Sequence, residues 1–359
     1  MRLLLITPLY PPAVGGAATY FADIVPQLKQ HDQIEKIFLL TEQMAGQPKH
    51  TSDGKVELLR LLPTRVSQQR PYFYHALTYI QTQIWFATQL KSFIKKNEID
   101  LVQYHTRFRG KLFYKTIGNL PCPVIADFRD KLSEPMDLKN ASDYLLCCSQ
   151  GIFDFAQQGG YPVAKMKYIP ATFNRPTLPT NKQLQSILDK YKLTDKRYIL
   201  YLGDMNWKKG VYELIDAFQT WHENHSEAYL IMAGTNRDGD KFLAALKQHP
   251  AIHYLGHIPR EEVPALITGA ELLVLPSRSE GLPTVILEAI ALGKKVICPP
   301  DIAEFSQHLP QYVLPKIETD TIIKKIDLVW QDNNIPAYPL QQHNPQQVVR
   351  QLVNFYSQL

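Results

Sequence analysis

The sequence predicts an α/β protein made of two doubly wound domains in series. Three observations carry that prediction. Short apolar runs alternate with helical patterns along the whole chain, the signature of parallel sheets flanked by helices. The alternation stops at a polar, proline-containing stretch, "NRPTLPTNKQ", and then restarts. The 359 residues are enough for two domains of ordinary size.

In the first half the expected strands are "RLLLITP", "KIFLLTE", "VELLRLL", "DLVQYHT", "PVIADFR", "DYLLCCS" and "MKYIPA". Between them lie helical patterns such as "ATYFADIVPQLKQ" and the long, aromatic "YFYHALTYIQTQIWFATQLKSFIKK". Core packing explains most of that long pattern, and its basic end leaves contact with a membrane surface as a second reading. The second half has strands "YILYLG", "AYLIMAG", "IHYLGHI", "ELLVLPS", "KKVICPP" and "YVLPK". Its helices are "VYELIDAFQTWHEN", "DKFLAALKQH", "REEVPALITG", "TVILEAIALG" and "TIIKKIDLVWQD". We expect domains at residues 1–178 and 179–340, with a final helix in 341–359. Ligands of such sheets bind beyond the carboxyl ends of the strands, and the cleft between two such domains is the expected site.

No stretch reaches the roughly 18 uncharged apolar residues of a membrane-spanning helix. The opening "MRLLLITPLYPP" is short, has no cleavage signature and runs into a Pro-Pro turn, so it reads as a buried strand. Cys122, Cys147, Cys148 and Cys298 show neither metal spacing nor a disulfide framework, which predicts free thiols and a cytoplasmic protein. A net charge of +5 suits anionic ligands or an anionic membrane face without requiring either.

The stretch "SEGLPTVILEAIALG" is the most informative. It follows a strand, so Arg278 to Leu282 form a strand-to-helix loop, and Pro283 suits the first helical position. The amides of Thr284 and Val285 then point out of the helix start, where the helix dipole adds positive charge, and Gly281 lets a ligand approach. Backbone alone makes an anion site. Glu280 and Glu288 must therefore serve another purpose, and an ionised carboxylate accepts from hydroxyl pairs. A diphosphate with hydroxyls on either side, a nucleotide sugar, satisfies all of these groups.

Glu280 and Glu288, within "PSRSEGLPTVILEAIALGKKVICPP", resemble the motif of the retaining glycosyltransferases of family 4, which have the GT-B fold of two Rossmann-like domains facing across a cleft. The likeness extends to Gly15 and Gly16 in "PLYPPAVGGAATYFADI" and to Lys209 and Gly210 in "YLGDMNWKKGVYELIDAF". It implies transfer of a sugar from a UDP- or GDP-sugar to a glycan or lipid-linked acceptor, with retention. It implies no cofactor, no metal and no nucleic-acid partner. Catalytic roles fall to Lys209, which neutralises the departing diphosphate, and Glu280, which holds the donor sugar. Glu288 takes the ribose, Ile258 the base, and Leu282, Thr284, Val285 and Gly16 the diphosphate. The final helix is expected to return to the first domain. A lipid-linked acceptor would place the chain at the inner face of the membrane, with peripheral membrane contact.

The sequence departs from the family at three places. Asp204 stands where relatives carry an arginine, so it must turn away or Lys208, Arg129 or Arg278 must supply the missing cation. Arg129 stands where relatives have a histidine; it either enters the cleft or pairs with Asp127 or Asp130. "IPATFN" replaces an Asn-Gly-Val-Asp turn and keeps Asn174 in spirit. His105 is a cleft residue or a satisfied strand-end histidine. The Asp-x-Asp of "RDGD" reads as helix capping in preference to a metal site. A nucleotide-sugar-binding protein with lost transferase activity is the alternative function. A nicotinamide-dependent enzyme fits less well, because the first loop lacks Gly-x-Gly-x-x-Gly.

Overall fold

A computed structural model describes residues 1–13, 16–64, 72–129, 134–246 and 249–359. Gly15 and Asp130, singled out above, lie outside the described residues. The chain forms two compact units, Met1–Asn174 with Gln341–Leu359, and Arg175–Leu340.

The first unit holds β1 (Arg2–Ile6), α1 (Gly16–Gln30), β2 (Lys36–Glu42), β3 (His50–Asp53), β4 (Val56–Leu62) and α2 (Tyr72–Trp85). A π-helical turn, Phe86–Leu90, leads into α3 (Lys91–Lys96). Then come β5 (Leu101–His105), α4 (Lys111–Ile117), β6 (Val124–Phe128), α5 (Pro135–Lys139), β7 (Tyr144–Cys147), α6 (Gln150–Gln158) and β8 (Met166–Tyr168). The second unit runs α7 (Asn181–Lys190), β9 (Arg197–Leu202), α8 (Val211–His222), β10 (Ala228–Ala233), α9 (Asp240–Ala245) and β11 (Ile252–Tyr254). It continues with α10 (Val263–Gly269), β12 (Leu272–Val274), α11 (Thr284–Ala291), β13 (Lys295–Ile297), α12 (Ala303–His308) and α13 (Thr319–Gln331). The last helix, α14 (Pro345–Tyr356), belongs to the first unit.

The first sheet has the order β3-β4-β2-β1-β5-β6-β7-β8, parallel except for the β3–β4 pair. The second is the parallel sheet β11-β10-β9-β12-β13. In each, the connection reverses direction beside the first parallel strand, between β1 and β5 and between β9 and β12. Ligands of doubly wound sheets bind at such switch points. Strands covered on both faces read as nearly continuous apolar runs, which is why "RLLLI" and "YILYL" are buried almost throughout. Helix α14 lays Val348, Val349, Leu352 and Val353 into the core of the first unit beside Phe21, Ile24 and Leu28 of α1.

Three local expectations are corrected. "YVLPK" is not a strand: Val313 makes a single bridge to Cys298, and its apolar run reports burial more than ladder pairing. Strand β3, "HTSD", is exposed at every residue and so carried no apolar signal. Pro283 is the residue before α11, with φ −76° and ψ 107°, and Thr284 takes the first helical position. The break "NRPTLPTNKQ" enters α7 at Asn181, where Thr180 and Gln183 form a reciprocal capping box. Cys147, Cys148 and Cys298 are buried free thiols. Among the described residues no helix is long and apolar enough to cross a membrane.

Candidate functional site

Two loops leave the strands on either side of the second switch point. After β9 the chain forms a 3-10 turn, Trp207–Lys209, whose start is capped by the Asn206 side chain accepting from the Lys209 amide at 3.3 Å. After β12 comes the loop to α11. The two are stitched together. The Arg278 amide donates to the Lys208 carbonyl at 2.8 Å, and its guanidinium donates to the Trp207 carbonyl at 2.7 Å. The same guanidinium grips Glu213 of α8 at 2.5 Å. Gly210 then turns the chain with φ 67°, and a Cβ there would lie 2.0 Å from the Pro276 carbonyl oxygen. Only glycine permits that approach.

This stitching brings Lys209 and Glu280 together, with Nζ 2.5 Å from Oε1. Both are half-buried, so the pair is neither screened as at the surface nor sealed from a ligand. Lys208 is exposed. Arg278 is committed to Glu213 and the neighbouring carbonyls.

Asp204 turns to Arg237, whose Nε donates to its carboxylate at 3.0 Å. Asp238 accepts from the Trp207 amide at 3.2 Å and from the Tyr212 hydroxyl at 2.7 Å. Helix α9 starts after Gly239 without a side-chain cap, so the expected capping role of the "RDGD" aspartates gives way to this brace on the Lys209 turn.

The ends of β9, β10 and β11 and the start of α11 form an open cavity of about 220 Å3 lined by Gly203, Gly234, His257, Ile258, Arg260 and Val285 among others. Gly234 has φ 142°, and a Cβ there would stand 1.8 Å from the Gly203 carbonyl oxygen. Ile258 and Val285, both expected at the ligand, thus line one cavity. Leu282 and Thr284 precede Val285, on the loop and at the first position of α11, whose start no side chain caps. Glu288, one turn farther along α11, is buried. Arg260 holds it with two hydrogen bonds, 3.1 and 2.6 Å long. Burial raises the Glu288 carboxyl above its ordinary value, and Arg260 offsets that in part.

Gly16, His105 and Arg129 belong to the first unit. Gly16 opens α1, and among the described residues no atom beyond its own helix and chain neighbours stands within 4 Å of where its Cβ would be. His105 is buried at the end of β5, where Nδ1 accepts from the Arg107 amide at 3.1 Å. Burial, with Arg129 and Arg107, lowers its pKa to about 3, so the ring is neutral. Of the readings open for Arg129, pairing is the one seen: Nε lies 2.9 Å from Asp127 Oδ1, and the guanidinium covers the Tyr20 ring at 3.1 Å. Gln103 holds the other Asp127 oxygen at 3.1 Å.

Comparison with known proteins bears on this arrangement. Residues 185–338 match the family model described as Glycosyl transferases group 1. The chain carries a glycosyl transferases group 1 domain. That stretch contains Lys209, Glu280, Glu288 and the residues that line the cavity. O-antigen chain mannosyltransferase B of Escherichia coli is 35% identical over 117 residues, which is 31% of each chain. The teichuronic acid biosynthesis glycosyltransferase TuaC of Bacillus subtilis is 32% identical over 104 residues, 29% of this chain and 25% of that one. These matches therefore span less than a third of either relative. Among solved structures, sucrose-phosphate synthase from Thermosynechococcus elongatus gives a TM-score of 0.74 at 16% identity, covering 99% and 98% of the two chains. HepE from Anabaena, solved with UDP and glucose, gives 0.68 at 15% identity over the whole of both chains. The fold is accordingly that of the GT-B glycosyltransferases.

Sequence reasoning missed several residues that shape the site of the glycosyltransferase domain: Arg260, Arg237, Asp238 and Glu213. Each acts on a motif residue from a distant part of the chain. Arg260 had a nearby signal in "IPRE", which begins at the residue expected to meet the base, and Arg237 and Asp238 lie in the "RDGD" read as helix capping.

Proposed function

We propose that the chain is a retaining transferase that moves a sugar from a UDP- or GDP-sugar to a glycan or lipid-linked acceptor. The Lys209–Glu280 pair beside an uncapped helix start carries this reading, because it sets a cation and a hydroxyl acceptor around one anion site. In this reading the diphosphate takes the amides of Thr284 and Val285 together with Lys209. Preorganised donors stabilise the negative charge that builds on the leaving group. Glu280 orients the sugar, and Glu288, held by Arg260, accepts from the ribose. The base enters the cavity along Ile258. No side chain is assigned as nucleophile, and no step requires a metal.

Family likeness supports the donor class. An alpha-monoglucosyldiacylglycerol synthase of Streptococcus pneumoniae is 22% identical over 328 residues, 83% of this chain and 70% of that one; its name, that of an enzyme making a glucosylated lipid, supports a lipid acceptor. The alternative, a donor-binding protein without turnover, was motivated by Asp204. Arg237 meets that charge, which favours turnover. Replacing Lys209 or Glu280 by alanine tests the assignment, with donor hydrolysis and transfer both assayed. Unchanged rates in the two variants would remove it.

A further inference from the structure

The first unit has a cavity of its own, about 380 Å3 in volume, at the carboxyl ends of β1, β2 and β4. Leu9, Tyr10, Ala13, Met44 and Tyr74 give it a largely apolar and aromatic wall. Into that wall the fold sets a charge. Arg60, near the end of β4, lines the cavity and is only 5% exposed. It stands in register with Thr41 of β2, after which the ladder skips Leu61 and Glu42 meets Leu62. An irregularity of this kind re-aims side chains at the end of a strand.

The Arg60 guanidinium is short of partners. Its Nη2 donates to the Pro11 carbonyl at 2.9 Å, and among the described residues Nε and Nη1 have no acceptor. Glu42, the other buried charge in the lining, has interactions of its own and makes no ion pair with Arg60. Buried charges are ordinarily paired, because an isolated one forfeits its hydration. A guanidinium with donors to spare presents a planar fork that matches a carboxylate or a phosphate. A bare ion would leave most of the cavity unfilled. The Tyr10 and Tyr74 rings with Leu9 offer a surface for a sugar ring or a body of similar size.

We propose that this cavity takes the acceptor by an anionic group, a carboxylate or a phosphate ester on a sugar, and that Arg60 selects it. That the ligand is the acceptor rests on the transferase reading; that the cavity takes an acidic sugar rests on Arg60 alone. Arg60 sets specificity and has no part in the chemistry at the donor.

The test is a ligand-observed NMR titration of the purified chain, without donor, using methyl glucuronide, mannose 6-phosphate and neutral methyl glucoside. At least one acid should bind about tenfold or more tightly than methyl glucoside, and the tighter acid assigns the group as carboxylate or phosphate. Arg60→Lys keeps the charge but loses the fork, and should weaken acid binding about tenfold. Because Arg60 also braces the Pro11 carbonyl, thermal midpoints are compared alongside. Ala45→Trp, at an exposed position of the lining, should block entry without touching that brace. Lys209→Met should bind the acids as the unaltered chain does, which separates loss of transfer from loss of this site. Absence of acid binding, or equal affinity for the acids and methyl glucoside, would overturn the proposal. So would acid binding that survives both Arg60→Lys and Ala45→Trp. Equal transfer rates to neutral and acidic acceptors would overturn the acceptor role.

Discussion

Lys209 and Glu280 stand 71 residues apart in sequence, yet their side chains meet at 2.5 Å across the switch point of the second sheet. Each is the other's counter-ion. The proposed donor would separate the roles, with the ammonium moving to the diphosphate and the carboxylate to the sugar.

That exchange makes a kinetic prediction. Lys209→Met should lower kcat by about a hundredfold or more while changing the donor KM far less, because the charge it neutralises develops in the transition state. Steady-state kinetics on donor hydrolysis measures both. A loss confined to KM would make Lys209 a ground-state binding residue only.

Arg260 should matter for stability through Glu288. Arg260→Ala leaves a buried carboxylate without its partner, and we expect a loss of about 2 kcal/mol at neutral pH, moderated by the exposure of the guanidinium. Because the folded Glu288 pKa is raised, the folded state holds the proton more tightly than the unfolded chain. Its unfavourable contribution is therefore present at neutral pH and fades as pH falls through the raised value toward the ordinary glutamate range. Thermal midpoints of wild type, Arg260→Ala and Arg260→Ala with Glu288→Gln, followed against pH, check the sign. The double variant should recover stability at neutral pH.

The Asp204–Arg237 pair is more than a third exposed on both sides, so breaking it should cost less than about 1 kcal/mol of stability. Its expected effect is on the ligand. Arg237→Ala should raise the donor KM by exposing the Asp204 carboxylate to the diphosphate, and adding Asp204→Asn should restore it. Isothermal titration with nucleoside diphosphates reads this directly. Identical affinities in all three proteins would show that Asp204 does not act on the anion.

His105 gives the acid limb of stability a defined sign. Its folded pKa is about 3, below the ordinary histidine value, so the unfolded chain takes up the proton first as pH falls. Its contribution is complete above pH 6.5 and is lost toward pH 3, with a slope of up to about 1.4 kcal/mol per pH unit. His105→Gln should flatten the fall in thermal midpoint over that window relative to wild type. A parallel curve would assign acid sensitivity to other groups.

Much of the fold was readable because parallel strands covered on both faces must be apolar along their length. "RLLLI", "KIFLL" and "YILYL" therefore announce themselves. Exposed β3 and the bridge at Val313 show the limit of that signal, which reports burial and not pairing. At the candidate site, the loop and helix start around Glu280 were legible from Gly281, Pro283 and the apolar run after them, since local backbone chemistry shapes that stretch. The partners of Glu288, Asp204 and Asp238 were not, because each lies on an element 26 or more residues away.

Apolar periodicity and the glutamate-bearing helix start were enough to establish an α/β chain and to single out the loop and helix start where we propose an anion is received, as both depend on near-neighbour geometry. Which charges face one another depended on sheet order, which carries loops from distant segments to the same strand ends. Strand order therefore put Lys209 on Glu280, Arg260 on Glu288 and Arg237 on Asp204, contacts that separation along the chain does not encode.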